Sequence, residues 1–541
     1  MPHFELLVRG GTLVDGSGAP ARKADVAVGD GRIQAVGDLS ALAPAAVARV
    51  LEAEGQVVCP GFIDVHGHSD ASVLVDGQLL SLLAQGITTQ ICGNCGEGMA
   101  PLTPAGRELL GLGLAGASAL EPTWSDVGGY LAQVEALDLG PNVGFLIAHG
   151  TVRAAVLGAA PRAPEAAELA AMVGAIEDGL ERGAFGVSSG LIYAPGIHAG
   201  YEELAACVEP AARRGALYAT HIRNESAGLF EGLAEAVAVA WGEGVPARLQ
   251  VSHLKAGAQV VWGQGPEALR FLEEARRLGL DVAADQYPYT AAATSLATIL
   301  TPELLALAPA AAARALREPA VRAELATAIT TRTDGWENVA GDPGWAAIRV
   351  TDAADHREWQ GRSLSELGEE LHRAPLEVAC DLLADEGLEV GIAVECMAES
   401  DVEAILASDQ VAVCTDAAGL RPAHPVLGAG RVHPRAYGSF PRVLGRYVRE
   451  RGILSLERAV YKMTALPAGR LGLVRRGQVR EGWAADLVVF DPLAVTDCAT
   501  PSTPHALPAG IAAVIVNGTV AIEEGRETGS RAGRLLRRGA A

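Results

Sequence analysis

The sequence predicts an α/β protein built on a parallel (β/α)8, TIM-like barrel. Apolar strand candidates alternate with Ala/Leu-rich helical stretches through the middle of the chain. Eight such strands can be marked, the number that closes a parallel barrel. Polar residues fall at their C-terminal ends, where the active sites of such barrels sit. A doubly wound open sheet is the architectural rival.

Taken in order, residues 1–60 read as short strands with Gly-rich turns, "ELLVRGGTLVDG", "DVAVGDGRIQAVG" and "VVCPG". The pattern returns within 472–541 as "GQVREGWAADLVVFDP" and "AAVIVNGTVAIEEG", so both chain ends can pair into one small β domain. The Arg-rich tail after it is expected to fold over the surface. The barrel is expected over 61–471, with strands "FIDVH", "TTQIC", "NVGFLIAHG", "FGVSSGL", "LYATHI", "LQVSHL", "DVAADQY" and "VAVCTD". Helices are expected in the gaps, among them Pro164 to Arg182, Tyr201 to Arg214 and Gly265 to Leu278. The gap between the seventh and eighth strands, from Ala291 to Asp409, is too long for a loop and one helix. It implies an insertion around 296–375, with helices near Pro302 to Thr331 and Ser363 to Arg373. A second long loop, Ala417 to Gly438, follows the last strand. Long βα loops lie over the catalytic face and serve as lids or substrate-binding surfaces.

The chain's 541 residues suffice for one large α/β domain and a smaller one. A formal charge of −22 argues against nucleic acid or an anionic membrane surface as partner. A small-molecule substrate is the expected partner. The start "MPHFELLVRGG" lacks a basic region followed by an apolar core, so no signal peptide is expected. No stretch reaches the ~20 apolar residues of a membrane span. Eight scattered cysteines without a regular framework suggest free thiols in a reducing compartment, hence a cytoplasmic location. Among the basic residues, only Lys23, Lys255 and Lys462 are lysine.

The chemistry starts at "VVCPGFIDVHGHSD". Side chains i and i+2 of a strand share a side, so His66 and His68 project together, with Asp64 one pleat behind. Two converging imidazoles form a metal half-site that suits zinc and its neighbours. Cys95 lies just beyond the second strand, His221 ends the fifth, His253 the sixth and Asp416 the eighth. Six potential ligands or bases from five strands thus face the barrel mouth. Cys92-Gly-Asn-Cys95 could also be a redox pair or half of a zinc finger, but no second CxxC accompanies it.

The chain resembles the amidohydrolase superfamily, and within it the N-acyl-D-amino-acid deacylase (D-aminoacylase) family. The resemblance spans nearly the whole chain and is carried by "PGFIDVHGHSD", "GNCG", "NVGFLIAHGTVR", "GLIYAPG", "ATHIRNE", "VSHLKA", "DQYPYTA", "HPRAYGSFPRVLGRYVRE" and the Arg-rich end. It implies zinc-dependent hydrolysis of the amide bond of N-acyl-D-amino acids. It implies one tight zinc on Cys95, His221 and His253, and a weaker second position on His66 and His68. Many amidohydrolases bridge their metals with a carboxylated lysine; no lysine lies on an early strand here, so Cys95 is the natural substitute. Asp416 would take the proton from the attacking water and pass it to the departing amine, and is compatible with a ligand role as well. Lys255, Arg435, Tyr193 and Tyr287 would receive the substrate α-carboxylate, arginine offering a planar fork.

Two departures fall in the presumed substrate region. The family usually reads "YPYxAGST" after the seventh strand, whereas this chain has "YPYTAAAT", with Ala293 at the serine position. It also has "CTDAAG" where "SDG" is common, and a longer loop before Arg435. Hydrolysis of dipeptides with a C-terminal D-residue, or of cyclic amides, therefore stays open. A non-catalytic scaffold would be expected to lose ligands, and all six positions are filled here.

Overall fold

A computed structural model describes residues 3–109, 114–332 and 336–540. Eight parallel strands form its centre: Phe62–Asp64, Ile87–Cys92, a third strand split at Leu146 into Asn142–Phe145 and Ile147–Ala148, then Gly186–Gly190, Leu217–His221, Arg248–Val251, Val282–Gln286 and Val411–Val413. Each pairs in parallel with the next, from the first to the third and from the third to the eighth. The ring closes where Gly67 bridges Ala417 in parallel. There the Asp416 N–H donates to the His66 carbonyl at 2.9 Å and the His68 N–H to the Ala417 carbonyl at 3.0 Å. The sheet is therefore a closed barrel. Its strands are buried along nearly their whole length, as expected of parallel strands covered on both faces.

The barrel helices follow their strands. Ala166–Glu181 starts with a reciprocal capping box between Glu165 and Glu168. Tyr201–Arg213, Leu229–Trp241 and Gly265–Arg277 follow the next three strands. Between the seventh and eighth strands the chain forms a three-stranded antiparallel sheet, Ala291–Ser295, Gly391–Glu395 and Ile348–Asp352, with Gly391–Glu395 in the middle. Helices Pro309–Ala315, Pro319–Thr331, Leu364–Leu371 and Pro375–Asp385 accompany it. The helices up to Leu371 fall within the stretches expected from the sequence; Pro375–Asp385 and the sheet lie outside that reading, the insertion running on to Glu395. Its first strand, "AAATS", consists mostly of alanine, a weak strand former, and its partners lie far away in sequence.

Both chain ends join one seven-stranded sheet, in which Val57–Pro60 pairs antiparallel with Leu487–Phe490. A four-stranded sheet, Arg32–Gly37, Asp25–Gly29, Leu6–Arg9 and Val50–Glu52, packs on it through Val8, Val26, Ile33, Val58, Leu487 and Ile515. The Arg-rich tail runs beside the third barrel strand, Leu535 bridging Val143 and the Arg538 N–H reaching the Gly183 carbonyl. Among the described residues no helix is long and apolar enough to cross a membrane.

The seam between the first and eighth strands centres on Asp64, which is fully buried. Its carboxylate accepts from Thr415 Oγ1 at 2.5 Å, Thr415 N at 3.0 Å and Gln90 Nε2 at 2.8 Å. Thr415→Val keeps the volume and removes one donor from a buried carboxylate. We expect it to lower stability by about 1–3 kcal/mol, read as a lower urea midpoint with unchanged slope.

Candidate metal centre

The strands carrying the candidate ligands end in backbone that most residues avoid. Cys95, His253 and Asp416 have φ of 53°, 34° and 49°, in the left-handed region that is sparsely populated outside glycine. These turns aim three side chains back over the barrel axis. The loop carrying Cys95 sits close against the fourth strand, where a Cβ at Gly190 would lie 1.8 Å from the Cys95 carbonyl oxygen. Glycine is required at that position. Asn94, buried beside it, donates to the Ile91 carbonyl at 3.0 Å and the Gly67 carbonyl at 3.4 Å, fixing the loop to the first two strands.

His66, His68, Cys95 and Asp416 offer one ligand atom each within 4.8 Å of one another, and Cys95, His221 and His253 form a second such group. All six residues singled out in the sequence are thus brought together, with Cys95 common to both groups. Cys95 Sγ lies 3.3 Å from His66 Nε2 and 3.4 Å from His253 Nε2. Asp416 Oδ1 lies 3.0 Å from His68 Nε2 and 3.3 Å from His66 Nε2. The strand containing His66 and His68 is regular only to Asp64. Their rings nevertheless remain on one side, with centroids 5.3 Å apart.

The four remaining sequence candidates surround this cluster. Arg435 Nη1 pairs with Asp416 Oδ2 at 2.7 Å, and Arg435 Nη2 donates to the Ala293 carbonyl at 3.1 Å. The backbone of Ala293 therefore serves Arg435 where its side chain offers no hydroxyl. The Arg435 guanidinium lies 4.7 Å from the Tyr287 ring centre, and Lys255 Nζ 5.7 Å from it. Lys255 is buried and donates to both oxygens of Glu225, at 2.6 and 2.7 Å. The Tyr193 ring meets that of His221 edge-on at 5.1 Å, and its hydroxyl lies 3.1 Å from Thr294 Oγ1. The Tyr287 hydroxyl is buried without a hydrogen-bond partner among the described residues.

Burial alone would raise the Cys95 thiol, but His66 and His253 outweigh it and hold it well below the ordinary thiol range. Burial would likewise raise Asp416, yet Arg435, His253 and His66 keep it well below the usual carboxylate range. Burial and the neighbouring Glu225 push Glu337, a residue of the insertion, up to about 7.

Sequence reasoning missed two carboxylates that orient these imidazoles. Asp285 Oδ1 lies 3.1 Å from His66 Nδ1 and accepts the His253 N–H at 2.8 Å, while its Oδ2 accepts from Gln250. Glu225 Oε1 lies 3.0 Å from His253 Nδ1. Both lie on the Nδ1 side of their histidine, leaving Nε2 towards Cys95; Lys255 Nζ also approaches His253 Nδ1, at 2.7 Å. The signal for Asp285 was legible, since an acid on an otherwise apolar strand next to a histidine site needs a partner. Glu225, in the loop after the fifth strand, carried no such mark.

The residues present fit a transition metal. A thiolate with imidazoles is the donor set of tetrahedral zinc. Ligands of such an ion lie about 3.5 Å apart, close to the Cys95–histidine separations. Both ring nitrogens of His221 are buried without a hydrogen-bond partner among the described residues, which suits a ligand better than a structural histidine.

The amidohydrolase family matches residues 49–522. An N-acyl-D-glutamate deacylase of Alcaligenes xylosoxydans xylosoxydans is 37% identical over 540 residues, covering 99% of this chain and 97% of that protein. A D-aminoacylase of the same organism is 36% identical over 542 residues, covering 99% and 98%. Among solved structures, an N-acyl-D-glutamate deacylase from Bordetella bronchiseptica, complexed with zinc and a phosphonate mimic of the tetrahedral intermediate, superposes with a TM-score of 0.82 at 34% identity, covering 99% of each chain. A D-aminoacylase described by its binuclear metal centre gives 0.82 at 33% identity, covering 99% of this chain and 100% of that one.

Cys95 is shared by both ligand groups and is their only thiolate. Cys95→Ala should therefore abolish stoichiometric zinc, measured by atomic emission after dialysis against a weak chelator. Zinc held as firmly as in the parent protein would remove Cys95 from the centre.

Proposed function

The chain belongs to the amidohydrolase family, and from that premise we propose that it hydrolyses the amide bond of N-acyl-D-amino acids, giving a carboxylate and a free D-amino acid. One observation carries the reading. A buried Cys/His/His donor set sits beside two buried cations, Arg435 and Lys255, that both face the Tyr287 ring. Metal ligands alone would serve many amide hydrolases. A nearby cationic pair selects substrates carrying a carboxylate close to the scissile bond.

In this proposal Cys95, His221 and His253 would hold one tight zinc, and His66, His68 and Asp416, together with Cys95, would offer a second, weaker position. When bound there, zinc supplies Lewis acidity that makes water nucleophilic near neutral pH and polarises the scissile carbonyl. Asp416 accepts the proton of the attacking water and returns it to the departing amine, a shuttle worth about 10²–10⁴ in rate. Asp416 is held within 3.3 Å of both His66 and His68 and by Arg435, so its oxygens have fixed directions before substrate arrives. Arg435 and Lys255 bind the α-carboxylate. The Tyr287 hydroxyl supplies a neutral donor, and Tyr193 shapes the opposite wall. Eight cysteines without a disulfide support a reducing setting, and we place the enzyme in the cytoplasm.

Matched N-acetyl-D- and N-acetyl-L-amino acids, assayed with and without added zinc, test the reaction directly: turnover confined to the D series is expected, and equal rates for both would overturn the assignment. Asp416→Asn is nearly isosteric but cannot take up a proton. It should cut kcat about 10²-fold or more while keeping zinc at the Cys95 position. Arg435→Met should lower kcat/KM for the acid about 10–150-fold, the loss of one charge-assisted contact. The matching α-carboxamide, lacking the anion, should lose less, only the part that comes from freeing Asp416.

A further inference from the structure

Glu225 lies four residues beyond His221 and is buried. Its two oxygens meet three side chains of the site. Oε1 receives Lys255 Nζ at 2.6 Å and lies 3.0 Å from His253 Nδ1; Oε2 receives Lys255 Nζ at 2.7 Å and lies 3.4 Å from His221 Nε2. One carboxylate thus spans two histidines of the Cys95 group and a cation of the proposed substrate site. Lys255 donates to both of its oxygens, so Glu225 and Lys255 form a buried ion pair.

The main chain of Glu225 is fixed from two sides. Its carbonyl accepts the Gly257 N–H at 2.7 Å, from the loop after the sixth strand. Its N–H donates to Glu337 Oε2 at 2.8 Å, and the neighbouring Asn224 Nδ2 donates to the Trp336 carbonyl at 3.3 Å. Trp336 is itself anchored, its indole N–H reaching the Thr298 carbonyl at 3.2 Å. Trp336 and Glu337 belong to the insertion, so the insertion closes directly on the loop that presents Glu225.

We propose that Glu225 is a positioning residue, orienting the His253 imidazole and the Lys255 ammonium as one unit beside His221, and that the insertion holds it in place through Glu337. Outer carboxylates of this kind fix the tautomer and ring plane of a ligating histidine and raise its basicity; losing one costs about 10–100-fold in metal affinity. Here the same anion also balances Lys255, so metal affinity and substrate affinity share one support. The inference rests on the proposed reaction for the role of Lys255 alone; the metal half stands without it.

Glu225→Gln keeps the shape, removes the charge and sets an amide against the Lys255 donors. Zinc affinity is read by chelator competition on purified full-length protein, and folding by thermal unfolding of the metal-free form. The zinc dissociation constant should rise about 10–100-fold, KM for an N-acetyl-D-amino acid should rise more than kcat falls, and metal-free unfolding should shift little. Glu225→Asp, which restores the anion, should recover part of both losses. Glu337→Ala should weaken zinc binding and raise KM in the same sense, by a smaller factor. Unchanged zinc affinity and KM in a folded Glu225→Gln protein would overturn the proposal. So would losses that track a large drop in metal-free stability and are not recovered by Glu225→Asp, since that pattern marks a merely structural residue. Should no N-acyl-D-amino acid be hydrolysed by the parent protein, the reaction fails, and the zinc measurements still decide the positioning role.

Discussion

Closing eight parallel strands into a ring forces the ends of the first and eighth strands together, and the site is built on that contact. Gly67 bridges Ala417, which brings His66 and His68 within reach of Asp416, residues some 350 positions apart. The approach needs a residue without a side chain, because a Cβ on Gly67 would lie 2.1 Å from the Gln90 amide carbon. Gln90 in turn donates to Asp64, which also takes two donors from Thr415. One buried carboxylate therefore holds three strands in register directly beneath the proposed metal positions. A shift of that seam by one residue would turn every side chain to the other face.

Left-handed backbone at Cys95, His253 and Asp416 is a cost of about 1–3 kcal/mol per residue that the barrel must offset by packing. Each sits where a strand has ended and a straight continuation would carry the side chain out over the rim. Turning the backbone back brings the ligand atoms towards the axis, where strands from opposite sides of the ring can share them. The loops afterwards are held by buried polar contacts such as those of Asn94 and Asp285, so the strain is enforced from several directions.

The barrel and all six candidate ligands were legible because both follow from local pattern. Buried parallel strands read as continuous apolar runs, and histidine, cysteine or aspartate at their ends breaks those runs visibly. The sheet of the insertion was not legible, because its strands pair residues 39 to 104 positions apart and "AAATS" reads equally well as helix or loop. Glu225 escaped for a related reason. Its proposed role follows from contact with His253 and Lys255 on the neighbouring strand end and Glu337 in the insertion; "ATHIRNE" carries the resemblance, but its pattern gives Glu225 itself no role. Arg435 shows the middle case: resemblance assigned it to the substrate, whereas its ion pair with Asp416 could be found only in three dimensions.

That ion pair bears on selectivity. Arg435 and Lys255 are 7% and 5% exposed, and a buried cation without a counter-charge is costly. Each is already paired, Arg435 with Asp416 and Lys255 with Glu225. On the proposed reading a substrate carboxylate therefore does not meet bare charges; it adds to two established pairs and draws on their remaining donors. Such an arrangement gives moderate affinity, because the cations gain less from the newcomer. It gives stronger discrimination, because a ligand without the anion must displace solvent from buried donors and leave them unpaired. The orphaned hydroxyl of Tyr287, whose ring both cations face, sharpens that effect. A substrate lacking the carboxylate leaves it buried and unsatisfied as well.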